Sequence, residues 1–362
     1  MRRAASVVLA AVLAIGVGIA IFSSVRDRVA AERPSLTVVR GVIGSEKQPF
    51  FHDPEVVAAF ARQGLDVQVD TAGSREISTS VDLDKYDFGF PAGIPAAERI
   101  RRLRKITAFY QPFYTPMAVA TFKPIAALLQ KAGVASPLAA GYWRFDMKRY
   151  LDLVAKETRW NQLPGNKVYP ANKSVLIAST DVRTSNSGAM YLAIASYVRN
   201  GDSVVENAAQ GDRVVDQVAP LFLRQGYSEY SSEGPFEDYL TIGAGKTPMV
   251  MIYEAQYLAR AAAQDGSIGP DRVLMYPEPT VLTKHTLVPL KPAGDRVGRL
   301  LTSDPELQRL AVKWGFRTAA AATVRKYLAD RKVAPPPDLV TIVEPPTYEA
   351  LEHLITRIQQ RY

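Results

Sequence analysis

Cysteine is absent from the 362 residues, which removes disulfides, thiolate metal sites, a cysteine nucleophile and a lipid-modified N-terminal cysteine from consideration. Histidine is scarce: His52, His285 and His353 are scattered and none stands in HExxH spacing, so no histidine-based metal site is expected. There is no GxSxG nucleophile elbow. Gly243-Ala244-Gly245-Lys246-Thr247 resembles half of a phosphate-binding loop. However, Leu240 stands where the first glycine belongs, and Pro248 follows where the helix should begin. No tandem repeat is present, which excludes a solenoid or propeller. These absences point away from an enzyme, a metal or a cofactor. The composition, 47% hydrophobic and 22% charged, fits a chain that buries a sizeable core in two domains or one large one.

Charge of neither sign is in large excess. The formal net charge is +8, about +3 of it in residues 1–35. Basic residues are scattered except at 99–105 (RIRRLRK), which reads as a solvated helix face or a contact for anionic headgroups. Nucleic acid is not an expected partner. Only one long hydrophobic run exists. Arg2 and Arg3 precede the uncharged residues 4–22, a length of about 28 Å as a helix, close to the thickness of a bilayer's hydrocarbon core. Residues 1–34 therefore read as a membrane anchor or a signal segment, with Val29-Ala30-Ala31 as the alternative cleavage point. Both readings place the remainder on the extracytoplasmic face, tethered by a single pass or secreted.

Beyond that segment the pattern is strand, polar loop, helix, repeated. Residues 36–43 are a mostly apolar strand leading into Gly44-Ser45-Glu46-Lys47-Gln48. Asp53 and Pro54 read as the cap and first position of a helix that Gly64 ends. Residues 65–69 alternate as a strand, Gly73-Ser74-Arg75-Glu76 opens a helix, and 86–90 is a short strand. The grammar restarts at 174–180, a strand followed by a polar loop and the helix 189–198. It continues with strand 248–253, helix 254–263 and strand 272–276. Such βαβ units imply parallel sheets covered by helices, here in two sets. Residues 333–346 are proline-rich and read as an extended surface linker before an amphipathic helix at 348–359.

In such folds ligands bind beyond the carboxyl ends of strands, where helix N-termini present unpaired N–H groups. Ser45, Ser74, Ser185 and Ser187 stand at those positions, and capping and ligand binding use the same geometry there. The run Ser179 to Met190, containing Thr180-Asp181-Val182-Arg183-Thr184-Ser185-Asn186-Ser187-Gly188, resembles the TDP-x-x-SNSG loop of type 2 periplasmic solute-binding proteins. Tyr253-Glu254-Ala255-Gln256, Tyr276-Pro277, His285, Pro289-Leu290, Asp304-Pro305 and Gly315-Phe316-Arg317 are similar to later segments of its molybdate- and sulfate-binding branch. The resemblance spans about residues 36–318. It departs where Glu46-Lys47 and Arg75-Glu76 replace small or uncharged residues.

That resemblance implies an α/β protein of two doubly wound lobes joined by hinge strands near 112–121 and 273–281. Lobe one would hold 35–114 with 273–362, of which 273–332 is the return and 333–362 the linker and last helix; lobe two would hold 115–272. It implies a monomeric receptor that closes on a small polar or anionic solute and engages an ABC transporter permease. Ser45, Glu46, Ser74, Arg75, Thr180, Ser185, Asn186, Ser187 and Tyr253 would contact the ligand, with the amides of Asn186, Ser187 and Gly188 unpaired. The rival readings are an exported hydrolase using Ser185 or Ser187, and a surface interaction module that binds no ligand.

Overall fold

The computed structural model describes residues 36–362 apart from Tyr227 and Val340. The expected anchor at 4–22 lies outside the described residues. Among those described, no helix is long and apolar enough to cross a membrane.

Among the described residues ten strands follow one another: β1 (Thr37–Ile43), β2 (Leu65–Thr71), β3 (Phe88–Phe90), β4 (Tyr110–Phe122), β5 (Ala135–Pro137), β6 (Trp143–Asp146), β7 (Met249–Tyr253), β8 (Arg272–Glu278), β9 (Thr280–Pro289) and β10 (Ile342–Val343). They form a continuous sheet in the order β2-β1-β3-β9-β4-β8-β6-β5, with β7 beside β4 and β10 beside β9. Lobe one pairs β1 with β2 and β3 in parallel. Yet β9 runs antiparallel to β3, and in lobe two β4 runs antiparallel to both β7 and β8. The sheets are therefore mixed, where the βαβ grammar alone predicts parallel ones. The returning strands β4 and β9, one entering and one leaving lobe two, impose the antiparallel pairs.

β4 is the main joint between the lobes. Its first half pairs with β9, from Tyr110↔Leu287 to Pro116↔Leu282, and its second half with β7 and β8. β8 and β9 run back almost without a break, so both hinge strands fall where the sequence predicts them. The extended residues 174–178 bury Val175 and Ile177 in lobe two but pair with its backbone through isolated bridges, Arg159↔Ser174 and Ala178↔Val250, so no full strand forms there.

Local chemistry sets the elements. Asp53 accepts from the Glu55 N–H (2.9 Å) and Pro54 opens the helix Pro54–Arg62, whose Val56, Ala59 and Phe60 are buried. Gly64 ends that helix at φ 74°, where a side chain would be strained. Lobe one centres on an aromatic cluster: Phe51 contacts Phe50, Phe60, Phe88 and Phe90, while Phe113 of β4 stacks on Phe316 at 4.3 Å. Each such ring contributes about 1.5–3 kcal/mol by leaving water. Lobe two has a larger aliphatic core, built on β4, β7, β8 and the helices around them.

The C-terminal segment ties the two together. The proline-rich stretch runs along the hinge, where β10 pairs in parallel with Thr280–Val281 of β9 and Lys284 Nζ reaches Glu344 (2.8 Å). The helix Tyr348–Gln359 then lies across the lobe boundary. Its Leu351, Leu354, Ile355 and Ile358 join the lobe-two core, whereas the sequence reading groups this helix with lobe one. On lobe one, Glu352 pairs with Arg75, Glu349 with Arg102, and the Tyr348 ring lies under Arg99. On lobe two, Asp212 receives His353 and Arg357, and Asp216 receives Arg361. The basic run is thus engaged internally: Arg101 pairs with Glu98 and Arg104 with Asp84.

Candidate ligand site between the lobes

Loops from both lobes meet at one place. From lobe one come the 3-10 turn Ser45–Lys47 after β1, the helix Ser74–Thr79 after β2, and the helix Ile94–Arg104 after β3. From lobe two come the helix Asn186–Arg199 and the end of β7 at Tyr253, which caps the helix Glu254–Ala263. Ser45, Glu46, Ser74, Ser185, Asn186 and Tyr253 line a single interlobe space of about 10 Å³. Thr180 and Ser187 sit one layer behind it, hydrogen-bonded to each other at 2.7 Å. Arg75 turns away toward Glu352 and the Arg183 carbonyl. A much larger concavity, about 690 Å³, lies wholly in lobe two around Trp160, Lys173 and Arg224 and touches none of these residues. Size alone does not mark the site; the convergence of strand ends does.

Several donors that would greet an oxyanion already have partners, although the N–H groups of Asn186 and Ser187 at the start of their helix have none among the described residues. The Arg75 N–H donates across the boundary to the Thr184 carbonyl (3.4 Å), and the Gly73 N–H donates to Glu76 Oε2 (2.9 Å). The Ala92 N–H takes Ser74 Oγ (2.9 Å) as its acceptor. Gly188, expected to be unpaired, donates to Thr180 Oγ1 at 2.9 Å, because strand end and helix start face each other closely there. Ser45 Oγ meets Ser231 Oγ of lobe two at 2.8 Å, and Asn186 Nδ2 donates to Tyr253 Oη at 3.0 Å. Ser185 and Ser187 bond each other and touch no base. Backbone spacing is equally tight: a Cβ on Gly73 would lie 2.3 Å from the Thr184 carbonyl oxygen, and one on Gly93 2.5 Å from Asn186 Oδ1.

Two residues at the site escape a sequence reading. Lys47 and His285, 238 positions apart, meet with Nζ 3.2 Å from Nδ1, and Glu46 completes the group by pairing with Lys47. Lys47 and His285 are wholly buried and Glu46 is 5% exposed. Phe90, Phe113, Tyr253 and Phe316 surround the imidazole, and its Nε2 has no partner. Burial raises the Glu46 carboxyl pKa, but the Lys47 ammonium and His285 outweigh that and hold it at about 2. Burial and Lys47 push the imidazole down to about 4, so it is neutral at physiological pH. Burial likewise lowers the Lys47 pKa against the pull of Glu46. A second buried pair, Glu254 with a bidentate Arg317 (2.7 and 2.6 Å) and the Tyr276 hydroxyl, anchors the helix after β7 to lobe one.

These shifts carry a pH dependence. Between about pH 6.5 and about 4 an unfolded imidazole binds a proton that the folded one refuses, so stability falls as pH drops through that window. The expected loss is about 3 kcal/mol, and Glu46 extends it from about pH 4.5 toward 2. Urea unfolding at stepped pH should show a smaller loss in His285→Gln than in the wild type. Equal slopes in the two proteins would remove the assigned cause.

No family model matches the chain, and no curated protein matches it in sequence. Solved structures do match it over nearly their whole length. The sulfate-binding protein SubI from Mycobacterium tuberculosis aligns at 16% identity over 85% of this chain and 94% of its own, TM-score 0.53. This is the type 2 periplasmic-binding-protein fold. The binding protein AfuA of Actinobacillus pleuropneumoniae, with fructose-6-phosphate bound, aligns at 12% identity over 89% of this chain and 95% of its own, TM-score 0.53. Apo ferric ion-binding protein A of Pasteurella haemolytica aligns at 14% identity over 89% and 98%, TM-score 0.52. These three proteins are named with a sulfate, a sugar phosphate and a ferric ion, so the fold does not favour the molybdate and sulfate branch over others.

Proposed function

We propose that the chain is a receptor that closes two lobes on a small polar solute and presents the closed form to a membrane partner, an ABC transporter permease. The observation that carries this reading is the convergence of the strand ends of both lobes, with their helix N-termini, on one boundary spanned by hinge strands. On this reading residues 4–22 tether it to the extracytoplasmic face of the membrane. It works as a monomer, and Ser45, Glu46, Ser74, Asn186 and Tyr253 lie where the lobes grip the solute. The hydroxyls of Ser185 and Ser187 position the loop and carry out no chemistry.

A thermal-shift screen across oxyanions, amino acids, amines, sugars and divalent metals tests this. A true ligand at about 100 times its Kd adds about 2.7 kcal/mol of stability, a shift of several degrees. Small-angle scattering on the same samples should show the lobes closer with that ligand. Ester or peptide turnover lost in Ser185→Ala or Ser187→Ala would replace the receptor by a hydrolase. A chain that no solute class stabilises would leave only an interaction module.

A further inference from the structure

We infer that the solute is an organic cation, an ammonium group on an apolar body, held in a cavity beside the loop tips. This deepens the receptor reading above and rests on it. The cavity, about 310 Å³, lies between the lobes on the side of Trp314 and Phe316. Its size is at the lower end of small-molecule sites, whereas the space at the loop tips holds about a single water.

The charges on its wall are unequal. Glu46, Glu233 and Asp265 line it against a single guanidinium, Arg260. That guanidinium is already shared: it pairs with Glu237 and stands 3.7 Å from Asp265 and 3.9 Å from Glu233. Lys47 neutralises Glu46 from behind but does not line the cavity. Burial and the neighbouring Glu237 push the Glu233 carboxyl above its usual range, as expected where positive charge is short. An anionic solute in this cavity would meet three carboxylates against one guanidinium that is already shared.

The rest of the wall suits the same class. Phe236, Trp314 and Phe316 supply aromatic surface. The Trp314 indole is fixed by its N–H donating to Asp53 Oδ2 at 2.8 Å. Ring faces beside carboxylates favour ammonium groups, since the quadrupole and the charges attract the same partner. Gln256 also lines the cavity: its Oε1 accepts from the Tyr253 N–H (3.1 Å), so its Nε2 is left to face the Glu233 carboxyl. The Tyr253 hydroxyl accepts from Asn186 and keeps its own proton to give. That donor fits a hydroxyl or carbonyl oxygen on the cation's body.

Three probes of one shape and different charge test the class by calorimetry: phenethylamine, 2-phenylethanol and phenylacetate, with sulfate as a fourth. The amine should bind about tenfold tighter than the alcohol, with phenylacetate and sulfate weaker still. Glu233→Gln, at a half-exposed position, should weaken the amine several-fold and leave the alcohol unchanged. Phenylacetate or sulfate binding as tightly as the amine would overturn the cation assignment while leaving a receptor. An amine affinity untouched by both Glu233→Gln and Trp314→Ala would overturn the location. Silence from all four probes overturns the assignment. If the broader solute screen is silent as well, the receptor reading falls with it.

Discussion

Replacing Lys47 with methionine should destabilise the protein by about 3–5 kcal/mol, because the Glu46 carboxylate would remain buried without its counter-charge. The loss has a signature. Without the ammonium, burial becomes the dominant influence on Glu46 and its pKa rises instead of falling. The variant should therefore recover part of its stability as pH drops toward 5, where the wild type is losing stability through His285. Adding Glu46→Gln to Lys47→Met should restore much of the loss at neutral pH, since a neutral pair needs no charge compensation. Urea unfolding of the wild type, the single and the double variant at two pH values measures all of this. A single variant as stable as the wild type would show that the pair is not confined as described.

The second large effect is expected from the C-terminal helix. Leu354 and Ile358 are fully buried in the lobe-two core, so Leu354→Ala should lower stability by about 2–5 kcal/mol. Ending the chain at Pro345 should do more than Leu354→Ala, by uncovering the apolar surface against which Leu351, Leu354, Ile355 and Ile358 pack. The charges facing lobe one behave differently. Glu349 and Glu352 make partly exposed ion pairs, so the double change to glutamine should alter stability by about 1 kcal/mol or less. It removes the polar links from this helix to lobe one, so hydrogen exchange in the helix Ser74–Thr79 should speed up while the lobe-two core stays protected. Faster exchange in both lobes together would mean that the helix supports the whole fold and does not bridge two units.

Much of this architecture is legible in the sequence, for identifiable reasons. Helices Glu254–Ala263 and Tyr348–Gln359 are readable residue for residue, because a strand end or capping threonine marks the start and apolar periodicity marks the face. Residues 174–180 mislead: a run of apolar residues looks like a strand, but whether it pairs depends on a neighbour 70 residues away. The strand-end loops are legible as a set, since serine and glycine at helix starts have a local cause. Their state is not. That Gly188 is satisfied by Thr180 follows from how closely the strand end faces the helix start within lobe two, and that the Arg75 amide reaches Thr184 follows from how closely the lobes meet. His285 reads as an isolated histidine in a β-branched strand, and only the register of β9 against β4 brings it beneath Glu46 and Lys47.

Gly73 and Gly93 set the gap between the lobes at the width of a hydrogen atom on each Cα. A methyl group on Gly73 would meet the Thr184 backbone and force the boundary apart by about an ångström to reach ordinary contact, whereas one on Gly93 would displace the Asn186 side chain. The closed form would then be a minority state, and apparent affinity would fall in proportion to its population even with every solute contact unchanged. Tightness of capture is thereby encoded partly in Gly73, which need touch no solute, and a change there could tune the receptor to scarce or abundant supply without altering what it recognises.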